Sequence, residues 1–168
     1  MEVWQSANGI FLGQGKYAVE ILKRFGMMDS KPITTPMASN LKILSDASSE
    51  MVDATMYRQM IGSLMYIMNT IPDIYFVVNT LSQFLIDLSH VHLIVANHIL
   101  RYLRGTVDYG IKYDVNKEIK LESYVDSDWV GSAIDRKSTL GCFFGMGSGV
   151  ISWFSKKKSC VALSTAEA

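Results

Sequence analysis

Apolar residues recur at two different periods along this chain, and the change of period divides it. Over Lys16 to Phe25, Tyr17, Ala18, Ile21, Leu22 and Phe25 share one side of a helix, with Gly26 as its stop. A second helix is expected over Met56 to Asn69, with Met60 or Ile61, Leu64, Met65 and Met68 on its inner side. Thr70-Ile71-Pro72-Asp73 reads as the start of a third: Thr70 as cap, Pro in the first turn and Asp three residues after the cap. That helix carries Ile74, Val77, Val78, Leu81 and Leu85. Ser89 can cap a fourth, in which Leu93, Ala96, Leu100 and Leu103 recur at steps of 3, 4 and 3 before Gly105 ends it.

The second regime has a period of two. Leu121 to Asp126 alternates side chains and delivers Asp126 to a strand end, on the face shared by Glu122 and Tyr124. Two more strand-like runs follow, Leu140 to Met146 and Val150 to Ser155. The Gly147-Ser148-Gly149 between them supplies the positive φ that a tight hairpin needs. Ser164 or Thr165 then reads as a helix start. Near the N-terminus, Val3 to Gln5 and Ile10 to Gln14 flank Ala7-Asn8-Gly9, and Asn-Gly is a strong hairpin signal. Between these regimes, Met28 to Val52 holds Pro32, Pro36 and many Ser and Thr, and reads as a long irregular link.

Composition narrows the classes. With 168 residues, 49% of them hydrophobic, the chain can build a core and is not a disordered tail. Its formal net charge is zero, so no overall field steers it to nucleic acid. Cys142 and Cys160 lack ligand spacing and read as buried free thiols. Met1 to Gln5 lacks a basic run leading into an apolar one, so no signal peptide is visible. The apolar stretch from Met60 to Ile86 is interrupted by Asn69, Pro72, Asp73 and Asn79, so it does not span a bilayer as one helix.

Several residues invite chemistry. His90, His92 and His98 raise a metal reading, but positions i and i+2 on a helix do not face one another, and no Cys or carboxylate completes a set. Lys156-Lys157-Lys158, with Arg136-Lys137 near in sequence, can meet phosphates; the plainer reading is a solvated turn after a strand. The ten methionines read as gap-filling core, and Trp129 and Trp153 as packing on the sheet.

A set of strings in one order resembles one family. Y-x-D-S-D-W-x-G from Tyr124, D-R-K-S-T-x-G from Asp135, V-x-S-W-x-S-K-K from Val150 and A-L-S-T-A-E-A from Ala162 are similar to the ribonuclease H region of Ty1/copia-type retrotransposon Pol polyproteins. Upstream, G-I-F-L-x-Q-x-K-Y-A from Gly9 resembles the end of that family's polymerase palm and the entry to its thumb. Y-R-Q-M-I-G-S-L-M-Y from Tyr57, P-D-I from Pro72 and I-L-R-Y-L-R-G-T from Ile99 resemble its thumb and connection helices. The resemblance covers nearly the whole chain. Two departures stand out. The family usually has Arg before Pro-Asp, where Ile71 stands here, and a Trp and a basic residue in the helix from His90, where Leu93, Asn97 and His98 stand.

The resemblance implies hydrolysis of the RNA strand of an RNA–DNA hybrid by two divalent metals held by four carboxylates. The first of the four matches Asp126. The second aligns immediately after Ala168, and the other two lie further on in the family. Glu167 is one residue off, about 100° away around a helix. Asp128 shares the face of Asp126 but is expected past the strand end. The polymerase's Asp pair lies upstream of the matching region. The expectation is therefore a truncated, catalytically inactive fragment with vestigial Asp126 and no cofactor; Mg belongs to the intact ancestral enzyme, and hybrid binding here is expected to be weak or absent.

One tetrapeptide points to another class. Arg101-Tyr102-Leu103-Arg104 matches R-x-L-R, the translocation motif of oomycete RxLR effectors, which are secreted into plant cells and suppress host immunity or cell death. It closes an amphipathic helix, with Leu103 on the buried face and both arginines able to reach solvent. The alternative reading is thus a secreted effector acting on a host protein; without it, the expected location is intracellular, with no membrane association. The expected fold is α+β: a palm-derived hairpin over 1–15, a helical thumb and connection region over 16–107, and an incomplete ribonuclease H-like antiparallel sheet over 108–168.

Overall fold

A computed structural model describes residues 1–37, 52–128 and 137–158. The elements in order are β1 (Glu2–Ser6), β2 (Gly9–Gly13), α1 (Gly15–Arg24), α2 (Ala54–Ile67), a 3₁₀ turn (Pro72–Ile74), α3 (Tyr75–Ser82), α4 (His90–Gly105), β3 (Gly110–Asp114), β4 (Leu121–Asp128), β5 (Thr139–Met146) and β6 (Gly149–Lys157). The class is mixed helix and strand, with two three-stranded sheets ordered β1-β2-β3 and β4-β5-β6. The chain separates into two compact units. One holds Met1–Trp4 with Leu12–Ile111, the other Gln5–Phe11 with Lys112–Ala168.

The helical unit has one core. Ala18, Ile21 and Leu22 of α1 meet Tyr57, Met60, Ile61, Leu64 and Ile67 of α2, Val77, Val78 and Leu81 of α3, and Val95, Ala96, Ile99, Leu100 and Leu103 of α4. These are the 3- and 4-residue recurrences that give each helix a single apolar face. The α1 stop at Gly26 takes the expected form. Gly26 has φ +66°, its N–H donates to the Lys23 carbonyl, and the Met27 N–H donates to that of Leu22. This is the paired closure that a left-handed residue permits at a helix end.

Three local expectations are corrected. Met65 is 42% exposed, and the inner face of α2 runs instead through Tyr57, Met60, Ile61, Leu64 and Ile67, so the true stripe starts one turn earlier. Asp53 caps that helix, its Oδ1 accepting from the Thr55 and Met56 N–H groups, which satisfies two of its orphan donors. Thr70 does not cap the next helix. Its hydroxyl donates back to the Ile67 carbonyl at the end of α2, and Pro72–Ile74 forms a 3₁₀ turn before α3 begins. Thirdly, β4 runs on to Asp128, so Asp126 lies inside the strand and Asp128 is its last residue.

In the second unit, β4, β5 and β6 form the expected antiparallel meander. Gly147 supplies the positive φ of the β5–β6 turn, at +62°. Strand β3 was not expected. Its five residues carry only Ile111 and Tyr113 as an alternating signal, too little to separate from a loop. Tyr113 lies over Gly149, where a Cβ would sit 2.6 Å from the ring, and its hydroxyl donates to the Val150 carbonyl at 2.5 Å. The expected helix at Ser164 or Thr165, Glu167, Trp129, Cys160 and most of the Met28–Val52 link lie outside the described residues.

Candidate functional site

The register of the second sheet fixes the surroundings of Asp126. Residues directly opposed in an antiparallel pair share a face, so Asp126, Gly141 and Ser155 form one rung. The next rung on that face is Tyr124, Phe143 and Trp153, and beyond it Glu122, Gly145 and Val150. Tyr124 and Phe143 meet edge to face with centroids 6.1 Å apart. Asp126 is exposed, and its rung partners bring no second carboxylate. Glu122 is four residues along, about 13 Å at strand rise. Lys120 beside it, 3.1 Å away, and the Tyr124 hydroxyl at 3.3 Å hold its carboxyl below the usual range. Among the described residues, no group of three His, Cys, Asp or Glu is placed to hold a metal ion.

Lys156 and Lys157 belong to β6, opposite Leu140 and Thr139, and so are strand residues rather than a turn after it. Trp153 is half-buried in the aromatic rung, as its packing role requires. Cys142 sits in mid-strand between Val125 and Phe154.

The R-x-L-R string lies on the last two turns of α4, and all four of its residues make contacts within the helical unit. Leu103 is fully buried in the core. Tyr102, the motif's unspecified position, is 5% exposed and its hydroxyl donates to Asp73 Oδ2 at the 3₁₀ turn. Burial, and then that carboxylate, push the Tyr102 phenol well above its ordinary pKa. Arg101 Nε donates to the Lys31 carbonyl and Arg104 Nε to that of Met28, each at 2.8 Å. The Ile33 N–H returns a bond to the Arg101 carbonyl at 3.4 Å.

The histidines also have local partners. His92 is buried, stacks on Phe84 with centroids 4.1 Å apart, and accepts at Nδ1 from the Ser89 N–H at 3.0 Å. It takes the place of the Glu or Gln of a capping box at the start of α4. His98 Nε2 lies 3.0 Å from the Thr35 carbonyl; since a carbonyl only accepts, that nitrogen carries the proton. Ser89-x-x-His92 and Asp53 ahead of an apolar period were visible signals for two caps. Nothing in the spacing announced Tyr102 with Asp73, which are 29 residues apart.

Comparison with known proteins places the chain. A retrovirus-related Pol polyprotein from transposon RE1 of Arabidopsis thaliana is 39% identical over all 168 residues, which make up 12% of that protein. An uncharacterized mitochondrial protein of the same plant is 35% identical over 95% of this chain and 66% of its own length. The chain belongs to the copia-type retrotransposon Pol polyprotein family. It spans about an eighth of the Pol polyproteins that it matches. Secreted RxLR effector protein 161 of Plasmopara viticola is 40% identical over 66% of this copia-type chain and 79% of its own length. No family model and no solved structure matches. Where copia-type chains usually carry an arginine, Ile71 is here 5% exposed and part of the core. Among the described residues, no helix is long and apolar enough to cross a membrane.

Proposed function

We propose that this copia-type segment is the junction between a reverse transcriptase thumb–connection region and the opening strands of a ribonuclease H-like sheet, and that the 168-residue chain is catalytically inactive by itself. The observation that carries this reading is the rung of Asp126. The matched carboxylate stands beside Gly141 and Ser155, whereas hydrolysis by two metals needs several acids converging from different elements. The polymerase's acidic pair has no counterpart among the matched strings. Hybrid binding is weak in this reading, because zero net charge gives no overall field to draw the chain onto phosphates. The test is cleavage of a labelled RNA–DNA hybrid with Mg²⁺ or Mn²⁺. No product above buffer is expected, and cleavage that Asp126→Asn abolishes would overturn the assignment.

A second reading rests on one specific observation, the likeness to the Plasmopara viticola effector over most of that protein. In it, the helical unit acts as an interaction module inside plant cells and suppresses immunity or cell death. Expression of the chain in leaf cells, scoring death triggered by a known elicitor, separates the two. Suppression supports the effector reading, and an unchanged response supports the Pol segment alone.

A further inference from the structure

Residues 28–37, a run of turns and bends, lie along α4 in the opposite sense to the helix. His98, Arg101 and Arg104, spaced three residues apart and so on one side of α4, meet the carbonyls of Thr35, Lys31 and Met28 in that order. Every one of these bonds goes to main chain, so the basic ladder holds the segment without reading its side chains. Hydrophobic residues supply the remaining attachment: Met28, Ile33 and Met37 are half-buried against the core. The fit at the end of α4 is close. A Cβ on Gly105 would come within 3.1 Å of Pro32 Cβ and 3.5 Å of the Ile33 carbonyl oxygen.

We propose that residues 28–37 are a releasable strap, latched on α4 by His98, Arg101 and Arg104, and that the R-x-L-R string is the latch. The strap has no regular structure of its own and hangs from α4 by side-chain donors, one main-chain bond at Ile33 and three half-buried apolar residues. Such a segment opens locally before the four-helix core does. While it is closed, both arginine Nε donors are spent within the chain and Leu103 is sealed in the core. Arg104 is exposed even with the strap in place, so an outside partner can meet its guanidinium tip, but it gains the two Nε donors only after the strap lifts. This goes beyond either functional reading and holds whichever of them is true.

Native-state hydrogen exchange on the full 168-residue chain tests the idea at the Ile33 amide, which donates to the Arg101 carbonyl. In Arg101→Ala/Arg104→Ala, exchange at Ile33 is expected to rise at least about tenfold, the effect of losing one or more charge-assisted bonds. Core amides of α2, such as that of Leu64, should change by less than about threefold. Should the double variant fail to fold, Arg104→Ala alone, at an exposed side chain, gives the same readout with a smaller rise. Gly105→Ala, which presses on Pro32 and leaves the latch intact, should also speed exchange at Ile33 but not at Leu64. An unchanged Ile33, or an Ile33 that rises only in step with Leu64, overturns the proposal.

Discussion

Tyr57 shows what a single buried hydroxyl does in this core. It is fully buried on α2, and its hydroxyl donates to the Leu81 carbonyl of α3 at 2.9 Å, tying two helices through one bond. Burial pushes the phenol above its ordinary pKa of 10.0. The folded pKa is raised, so the associated stability is complete below pH 10.0 and is lost as pH climbs past it, because the unfolded chain releases its proton first. Wild-type stability should therefore fall above about pH 10, by roughly 1.4 kcal/mol per pH unit for each such group. Tyr57→Phe should cost about 0.5–1.5 kcal/mol at pH 7, the net worth of one hydrogen bond, since the Leu81 carbonyl still accepts from the Phe84 N–H, and should flatten the alkaline slope. Urea denaturation at pH 7 and pH 10.5 checks both. Tyr102 contributes in the same direction, with Asp73 as an added cause. Its partner could not be foreseen, because helical spacing says which face a tyrosine occupies but not what waits there.

At the scale of elements, two glycines with positive φ separate backbone preference from packing. Gly26 closes α1 at φ +66° and has nothing within 4 Å of where a Cβ would stand. Gly26→Ala should cost only the left-handed penalty, about 1–2 kcal/mol. Gly9, at φ +142°, would place a Cβ 1.9 Å from the Tyr113 carbonyl oxygen. Gly9→Ala should cost roughly 3 kcal/mol or more, and thermal melts of the two variants compared with wild type rank them. The Gly26 stop and the Asn8-Gly9 hairpin were legible because turn chemistry is local. The approach of Tyr113 to Gly9 was not, since it joins residues more than a hundred positions apart. Helix starts split along the same line: Ser89 was readable, whereas Thr70 turned back to Ile67 because a donor near the end of α2 finds a carbonyl there first.

At the scale of the molecule, the second sheet is the exposed part. By register, Leu121, Val125, Met146 and Phe154 share one face, and they are 68%, 65%, 41% and 37% exposed. Strands β4 and β6 are also the two edges of their sheet. Among the described residues these strands close the sheet on either side, and a sheet edge beside an exposed apolar face templates association, which zero net charge does nothing to oppose. Val125→Lys should reduce turbidity and shift the chain toward monomer in size-exclusion chromatography with light scattering. The melting temperature should move by no more than a degree or two, because the side chain already faces water. Equal turbidity in wild type and variant would place the association elsewhere.

What the sequence determined alone is what neighbouring residues decide: four amphipathic helices, the glycine stop, the Asn-Gly hairpin, the meander and its positive-φ turn, and the family strings. Each rests on a period or a turn preference acting over a few residues. The tertiary structure decided which residues from distant parts of the chain meet. It turned R-x-L-R from a free-standing motif into a row of helix contacts, with Arg104 reaching 76 residues back to Met28. It also set Asp126 beside Gly141 and Ser155. Spacing limits how a side chain points; only folding brings its partner to it.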